Sequence, residues 1–207
     1  MRAWLSDRAT GLALRSFEWL LGRRDLERAR RRGTRLGRAL WRIDPRWRPL
    51  AETQARLALG ENADVGALIR ANYEHYGKLL AELASWQTIR ERLDELFVYE
   101  RPEILDDLEG GALVVSAHLG NWEVMGMHYA LTRKRPIHAL VKPIHNRRVE
   151  RWINEIRASY NVTTVTTRDN ALQVRKLLRS GNILVTLLDQ NSLYHEGVFV
   201  PFFGRPA

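Results

Sequence analysis

The chain contains no cysteine. Disulfides, thiolate nucleophiles and cysteine-bound zinc are excluded with it, and nothing reports on the redox compartment. It also lacks the run of roughly eighteen uninterrupted apolar residues that a membrane-spanning helix needs. The nearest stretch, Trp4 to Leu21, is broken by Asp7, Arg8, Arg15 and Glu18, and no small-residue cleavage site follows to make it a secretory signal. Internal repeats and low-complexity linkers are missing as well. Acidic residues are in deficit: 24 Asp and Glu stand against 33 Lys and Arg, a formal net charge of +9 with a pI near 10.4. That balance implies an anionic partner, whether nucleic acid, lipid headgroups or a phosphorylated substrate, without choosing among them.

What is present suits a folded enzyme-sized domain. The 207 residues are 45% hydrophobic, enough for a continuous core. Residues 1–50 read as a basic, amphipathic, membrane-associating helical segment and residues 51–207 as an α/β domain. From Trp4 to Trp47 arginines interleave with Trp4, Phe17, Trp19, Leu20, Leu21, Leu36, Leu40 and Trp41. Such a pattern can lie in a headgroup layer with its guanidinium groups on phosphates, and it equally suits a pair of surface helices packed on the domain. Pro45 and Pro49 bracket a break, and Ala51 to Leu59 reads as a helix ended by Gly60. Val65 to Trp86 is a longer helix whose Leu68, Ile69, Tyr73, Tyr76, Leu79, Leu80 and Leu83 are expected in the core. A short helix from Glu103 to Leu108 stops at Gly110-Gly111.

From Leu113 onward the pattern alternates. Strands are expected at Leu113 to Ala117, Pro136 to Val141, Val162 to Val165 and Ile183 to Leu188. Helices fall between them, to about Thr132, from Arg147 to Tyr160 and from Asn170 to Arg179. Strands separated by helices of this length imply βαβ crossovers and a mostly parallel sheet flanked by helices on both faces. The fold class is therefore α/β with a helical N-terminal extension. Gly197 to Ala207 ends on exposed-looking apolar residues, as a chain continuing further would.

The candidate chemistry sits where the first strand becomes a helix. His118 and Glu123 are five positions apart, with Gly120 between them. If the histidine ends the strand and the glutamate occupies the first helical turn, the carboxylate can accept from one ring nitrogen and leave the other as a general base. Backbone N–H groups of Gly120, Asn121 or Trp122 can then hold a developing oxyanion. No Ser or Cys nucleophile sits in a recognisable elbow, so the pair points to direct transfer onto a substrate hydroxyl. An isolated His-x4-Glu is also what a partly buried histidine and a capping glutamate look like. Asp189 and Gln190 end the fourth strand, where they can position substrate or support the dyad, or simply form a turn and a cap. His128, His138, His145 and His195 lie on different elements without ligand spacing, so no metal is expected.

Three ordered blocks make a resemblance specific: Ser116-Ala117-His118-Leu119-Gly120-Asn121-Trp122-Glu123, then Asp189-Gln190-Asn191, then Gly197-Val198-Phe199-Val200-Pro201-Phe202-Phe203-Gly204. Together they resemble the late acyltransferases of lipid A biosynthesis, whose superfamily includes phosphatidylinositol mannoside acyltransferases. The resemblance implies transfer of an acyl chain from an acyl carrier protein or coenzyme A thioester to a hydroxyl of a membrane glycolipid. The thioester is the co-substrate, and no other cofactor is implied. On this reading His118 takes the acceptor's proton and Glu123 orients it. Arg157, in the helix after the second strand, binds a phosphate or polarises the thioester carbonyl. It also has the alternative of a surface helix charge. Lys142 and Asn146 align with a family segment reading Arg-Pro followed by Asn, the lysine keeping the charge without the bidentate fork. Asp189 and Gln190 join them as substrate-binding candidates. The aromatics of Gly197 to Phe203 are expected in the core or along an acyl channel. The implied setting is peripheral, on anionic lipid at the cytoplasmic face of the inner membrane. A basic nucleic-acid binder is the rival class, but no helix-turn-helix, RNA-recognition motif or zinc finger is present. A catalytically idle membrane-binding relative is a second rival.

Overall fold

The structure is a computed structural model, and it describes residues 2–22, 25–101, 103–106, 110–166, 171–190 and 198–206. In chain order the elements are α1 (Arg2–Leu21), α2 (Leu26–Ile43), α3 (Trp47–Leu59), α4 (Val65–Ala84), α5 (Trp86–Glu91), α6 (Leu93–Leu96), α7 (Glu103–Asp106), β1 (Ala112–Ser116), α8 (Trp122–Thr132), β2 (Ile137–Val141), α9 (Arg147–Ser159), β3 (Val162–Thr166), α10 (Ala171–Arg179), β4 (Ile183–Leu187), β5 (Pro201–Phe202) and β6 (Arg205–Pro206). No helix among the described residues is long and apolar enough to cross a membrane. The chain divides into two compact units, residues 1–16 with 90–190 and residues 17–89 with 191–207. This partition follows contacts. Its boundaries differ from the 1–50 helical segment and 51–207 α/β domain expected from the sequence.

The first unit holds the sheet. Its four strands run in the order β1-β4-β2-β3 and all pair in parallel. Parallel neighbours need crossovers, and α8, α9 and α10 supply them. Ile137, Val162, Val165, Ile183 and Leu184 of the strands are buried, as are Val124, Met127, Ile153 and Ile156 of the helices. The expectation that both faces are covered fails at one place. Leu113 and Val115, on one face of the edge strand β1, are exposed, so no described element covers that face there. Glycine ends α10 as expected, with Gly181 at φ +79. Asn170, Asn191, His195 and Gly197 lie outside the described residues, as does the expected end of the short helix at Leu108.

The second unit is built on α2 against α4, and its contact is made by small residues. A Cβ on Gly33 would stand 2.2 Å from the carbonyl oxygen of Gly77, one on Gly77 2.1 Å from that of Gly33, and one on Gly37 2.1 Å from that of Tyr73. Backbones this close exclude any side chain at the crossing. Ala29 and Ala81 extend the seam, and with Leu21 and Ala84 they form a buried cluster against which Phe17 and Leu36 pack. Arg30 to Glu82 at 2.7 Å and Arg38 to Glu74 at 2.8 Å flank it. The expected core of α4 is thus corrected: Ile69 is buried, but Leu68, Tyr76 and Leu80 are exposed, since Gly77, Ala81 and Ala84 take the inner positions.

Helix α3 begins earlier than Pro49 suggests. Proline in a first turn lacks an N–H that would be unpaired anyway, so it does not break the helix. Asp44 closes α2 and opens α3: its Oδ1 accepts from the N–H groups of Arg46 and Trp47, each at 2.9 Å. Tyr73 of α4 donates to its Oδ2 at 2.6 Å. Burial and the neighbouring carboxylate push the Tyr73 hydroxyl up to about 12. β5 and β6 form a small hairpin turned by Phe203 and Gly204, both at positive φ. Phe199, Phe202 and Phe203 are exposed, so they are not part of the core.

Candidate active site

Ser116 of β1 stands in register with Leu187 of β4, and the N–H of Leu188 donates to the Ser116 carbonyl at 3.2 Å. Two residues beyond each paired position come His118 and Asp189. Adjacent parallel strands in register therefore deliver both side chains to one carboxyl edge of the sheet, the edge where open parallel sheets bind ligands. The Asp189 carboxylate takes two hydrogen bonds from His118. The ring Nδ1–H donates to Oδ1 at 2.7 Å and the backbone N–H to Oδ2 at 2.8 Å.

The carboxylate, which only accepts, sets the tautomer, and the remaining ring nitrogen faces a donor. The side-chain amide of Gln190 donates to His118 Nε2 at 3.3 Å. With Nδ1–H given to the carboxylate, Nε2 is the ring nitrogen that accepts. Desolvation works to raise the Asp189 carboxyl. Hydrogen bonds from the His118 ring and from the backbone N–H groups of His118 and Asp189 outweigh it and hold the group below its ordinary value. The ring and carboxylate side chains are 22% and 32% exposed, open enough to meet a substrate. Trp122 sets its ring edge-on to the imidazole, with centroids 4.7 Å apart.

This corrects the expected pairing of His118 with Glu123. Glu123 does lie in the first turn of α8, but its carboxylate faces α9. Arg157 Nε donates to Oε2 at 3.0 Å and Arg157 Nη2 to Oε1, a fork-to-fork pair. Arg157 is not a surface charge. It is buried with Ile153 and Ile156 on the inner face of α9. A guanidinium in that position requires a carboxylate close by, and Glu123 supplies it instead of pairing with His118.

Asn121 caps α8, its side chain accepting from the Val124 N–H at 3.1 Å. Gly120 precedes it at φ +57, a conformation that favours glycine, and a Cβ there would meet nothing within 4 Å. Asn146 caps α9 through the N–H groups of Arg148 and Val149 at 3.0 and 3.2 Å, and its amide reaches Thr10 at 3.2 Å. The structure gives it no bond to the His118 cluster. Lys142 is exposed just past β2, at the same carboxyl edge, with no ion pair among the described residues. His128 is buried, accepting from the Tyr99 hydroxyl at 2.7 Å beneath Phe97, and His138 bonds Thr163 and Asn182. Both are packing histidines. His145 is exposed.

Under α8 an apolar cavity of about 160 Å³ opens against the sheet. Val114, Ala139 and Val185 line it from the strands, Met125 and Gly126 from α8, and Glu123 and Arg157 border it. Gly126 contributes empty space: a Cβ there would touch nothing within 4 Å.

The imidazole and its carboxylate stand at the carboxyl edge of a parallel sheet that also walls an apolar cavity. Residues 17–207 match the family of bacterial lipid A biosynthesis acyltransferases. The chain belongs to that family. No curated protein matches it.

In this acyltransferase the match covers both helical and sheet portions, so the helices from Phe17 onward are part of the family architecture. The sequence reading placed Asp189 at the right edge but missed its bond to His118, since nothing local says that β4 inserts between β1 and β2. The burial of Arg157 was more accessible. It shares the Ile153, Ile156 and Tyr160 stripe at helical spacing, and a charge on an apolar stripe implies a buried partner.

Proposed function

We propose that this acyltransferase moves a fatty acyl chain from an acyl carrier protein or coenzyme A thioester to a hydroxyl of a membrane glycolipid, a lipid A precursor. His118 is the general base and Asp189 its orienting carboxylate. The lone pair on Nε2 takes the proton of the acceptor hydroxyl in place of the Gln190 amide. The acceptor oxygen adds to the thioester carbonyl, and the resulting oxyanion is met by N–H groups of the Gly120–Asn121 turn. Collapse breaks the carbon–sulfur bond, and the thiolate leaves with the proton held on Nε2. Ester and thiol are the only products, so the proton balance closes within one imidazole. Glu123 and Arg157 brace α8 against α9 at the mouth of the apolar cavity, which receives part of the acyl chain. A void of this size, roughly 150 Å³, admits about six carbons.

The observation that carries the reading is the two-point hold of Asp189 on His118, because it presents one lone pair in a defined direction. The test is incubation of the full chain with labelled acyl thioester and a lipid A precursor, followed by mass spectrometry of the lipid and a thiol assay. Wild type is expected to give ester and thiol in equal amounts and His118→Ala neither. A wild type that forms no thioester-dependent lipid product overturns the reading. The basic surface fits both an acidic carrier protein and an anionic bilayer at the cytoplasmic face of the inner membrane, with peripheral attachment.

A further inference from the structure

Helix α3 is amphipathic in the wrong sense for a helix that serves only its own unit. Residues facing inward are small or engaged: Ala51, Ala55 and Ala58 are half-buried, and Glu52 is paired with Arg48 at 3.2 Å. Leu50 and Leu57 share the opposite face at helical spacing with Trp47 at its border, and the three are 47%, 50% and 57% exposed. No residue of this helix is buried. Ile43, at the end of α2 just before the joint, is 73% exposed.

The joint holds this face firmly. Asp44 accepts from the Trp47 N–H at the start of α3 and is tied to α4 through Tyr73, and the Arg48 guanidinium lies over the Trp41 ring at 5.2 Å. Both acids between Arg42 and Leu59 are thereby engaged inside the unit. Arg42, Arg46 and Arg56 stay exposed with no carboxylate paired to them among the described residues, and Arg46 stacks on Trp47 at 4.8 Å. An exposed apolar stripe with a tryptophan, accompanied by unpaired arginines on the same helix and at the joint, is the pattern of a helix lying in a headgroup layer.

We infer that the outer face of α3, centred on Trp47, Leu50 and Leu57, docks onto an anionic lipid bilayer. Charge complementarity selects the occupant, each arginine near an anionic surface strengthening partition by about fivefold. A protein partner is disfavoured by area, since three large side chains on one short helix fall well below the roughly 800 Å² per side of a stable interface. The choice of a membrane rests on the proposed lipid acceptor, whereas the test requires no catalysis. Within the N-terminal segment Phe17, Leu21 and Leu36 pack inward, while Leu12, Trp19, Leu20 and Leu40 are exposed.

The test is sedimentation of the full chain with vesicles of phosphatidylethanolamine and phosphatidylglycerol, beside phosphatidylcholine vesicles. Wild type and Leu59→Glu, which alters an exposed leucine on another side of the same helix, are expected to bind the anionic vesicles. The triple change Trp47→Glu, Leu50→Glu, Leu57→Glu is expected to bind at least tenfold more weakly with an unchanged melting temperature. Because the chain has no cysteine, Gln54→Cys places a single polarity-sensitive dye within the face and Leu59→Cys one off it. A blue shift on anionic vesicles at 54 and none at 59 supports the inference even if the triple variant misfolds. Undiminished binding by a folded triple variant, no dye shift at 54, or a wild-type dimer that the triple change dissolves without any vesicle binding would each overturn it.

Discussion

Asp189 receives two hydrogen bonds from His118, one from the ring Nδ1–H at 2.7 Å and one from the backbone N–H at 2.8 Å. Ring and main chain are thus held by one carboxylate, which fixes both the tautomer and the direction of Nε2. Replacing the acid by its amide, Asp189→Asn, keeps the shape but allows the amide NH2 to face the ring and favour the other tautomer. By analogy with such changes in acid-held histidines, kcat is expected to fall about 10³- to 10⁴-fold with KM little altered. Steady-state kinetics check this. The pH dependence of stability follows too. Because the folded-state carboxyl lies below its ordinary 3.8, its contribution is present above that value and lost as pH falls through the depressed one. Melting curves of Asp189→Asn should therefore lose less stability than wild type over that acid range.

The Glu123–Arg157 pair is structural support for the site rather than part of the imidazole's hydrogen-bonding. Arg157→Met leaves Glu123 without its fork, and Glu123→Gln weakens the same contact from the other side. Each single change is expected to destabilise by about 1–3 kcal/mol, and the double change by less than their sum. Urea unfolding of the four proteins closes the cycle. The pH profile of kcat should stay that of wild type in Glu123→Gln. A profile displaced as in Asp189→Asn would instead give Glu123 a hold on the histidine.

Gly126 faces the cavity from the middle of α8 with room for a side chain. Gly126→Ala adds helix propensity, worth up to about 1 kcal/mol, with no clash. Gly126→Leu places four further carbons in a space for about six. The favoured acyl thioester should shorten by roughly two to four methylenes, read out by competing donors of different chain length in one reaction.

The seam between α2 and α4 tolerates no side chain at its crossing. Gly33→Ala sets a methyl 2.2 Å from a backbone oxygen, so the helices must separate, at about 1–3 kcal/mol. Gly66→Ala, in the first turn of α4, meets only the Asp64 side chain at 3.8 Å and is expected to be neutral or stabilising. Denaturant midpoints of the two variants should move apart, with Gly33→Ala the lower.

Strong local patterns were readable in advance. The alternation after Leu113 marked four strands and their helices to within a residue or two, since burial in a crossover unit leaves β-branched runs and helical stripes in turn. Glu123 in the first turn of α8 was equally plain, because a helix start is decided within a few residues. Expectations failed where packing overrode hydrophobicity. Leu68 and Tyr76 yielded the interior of α4 to Gly77 and Ala81, for close backbone approach needs the absence of side chains rather than large ones.

From the sequence alone came the α/β class, the basic surface, His118 at a strand end and the acyl-transfer family resemblance, all set by periodicity, composition or short motifs. The tertiary structure decided which carboxylate holds the imidazole. His118 and Asp189 are 71 positions apart and Glu123 only five from the histidine, yet β4 lies beside β1 in register while Arg157 draws Glu123 away. Strand order and the pairing of a buried charge are properties of the whole packed sheet, and no local pattern contains them.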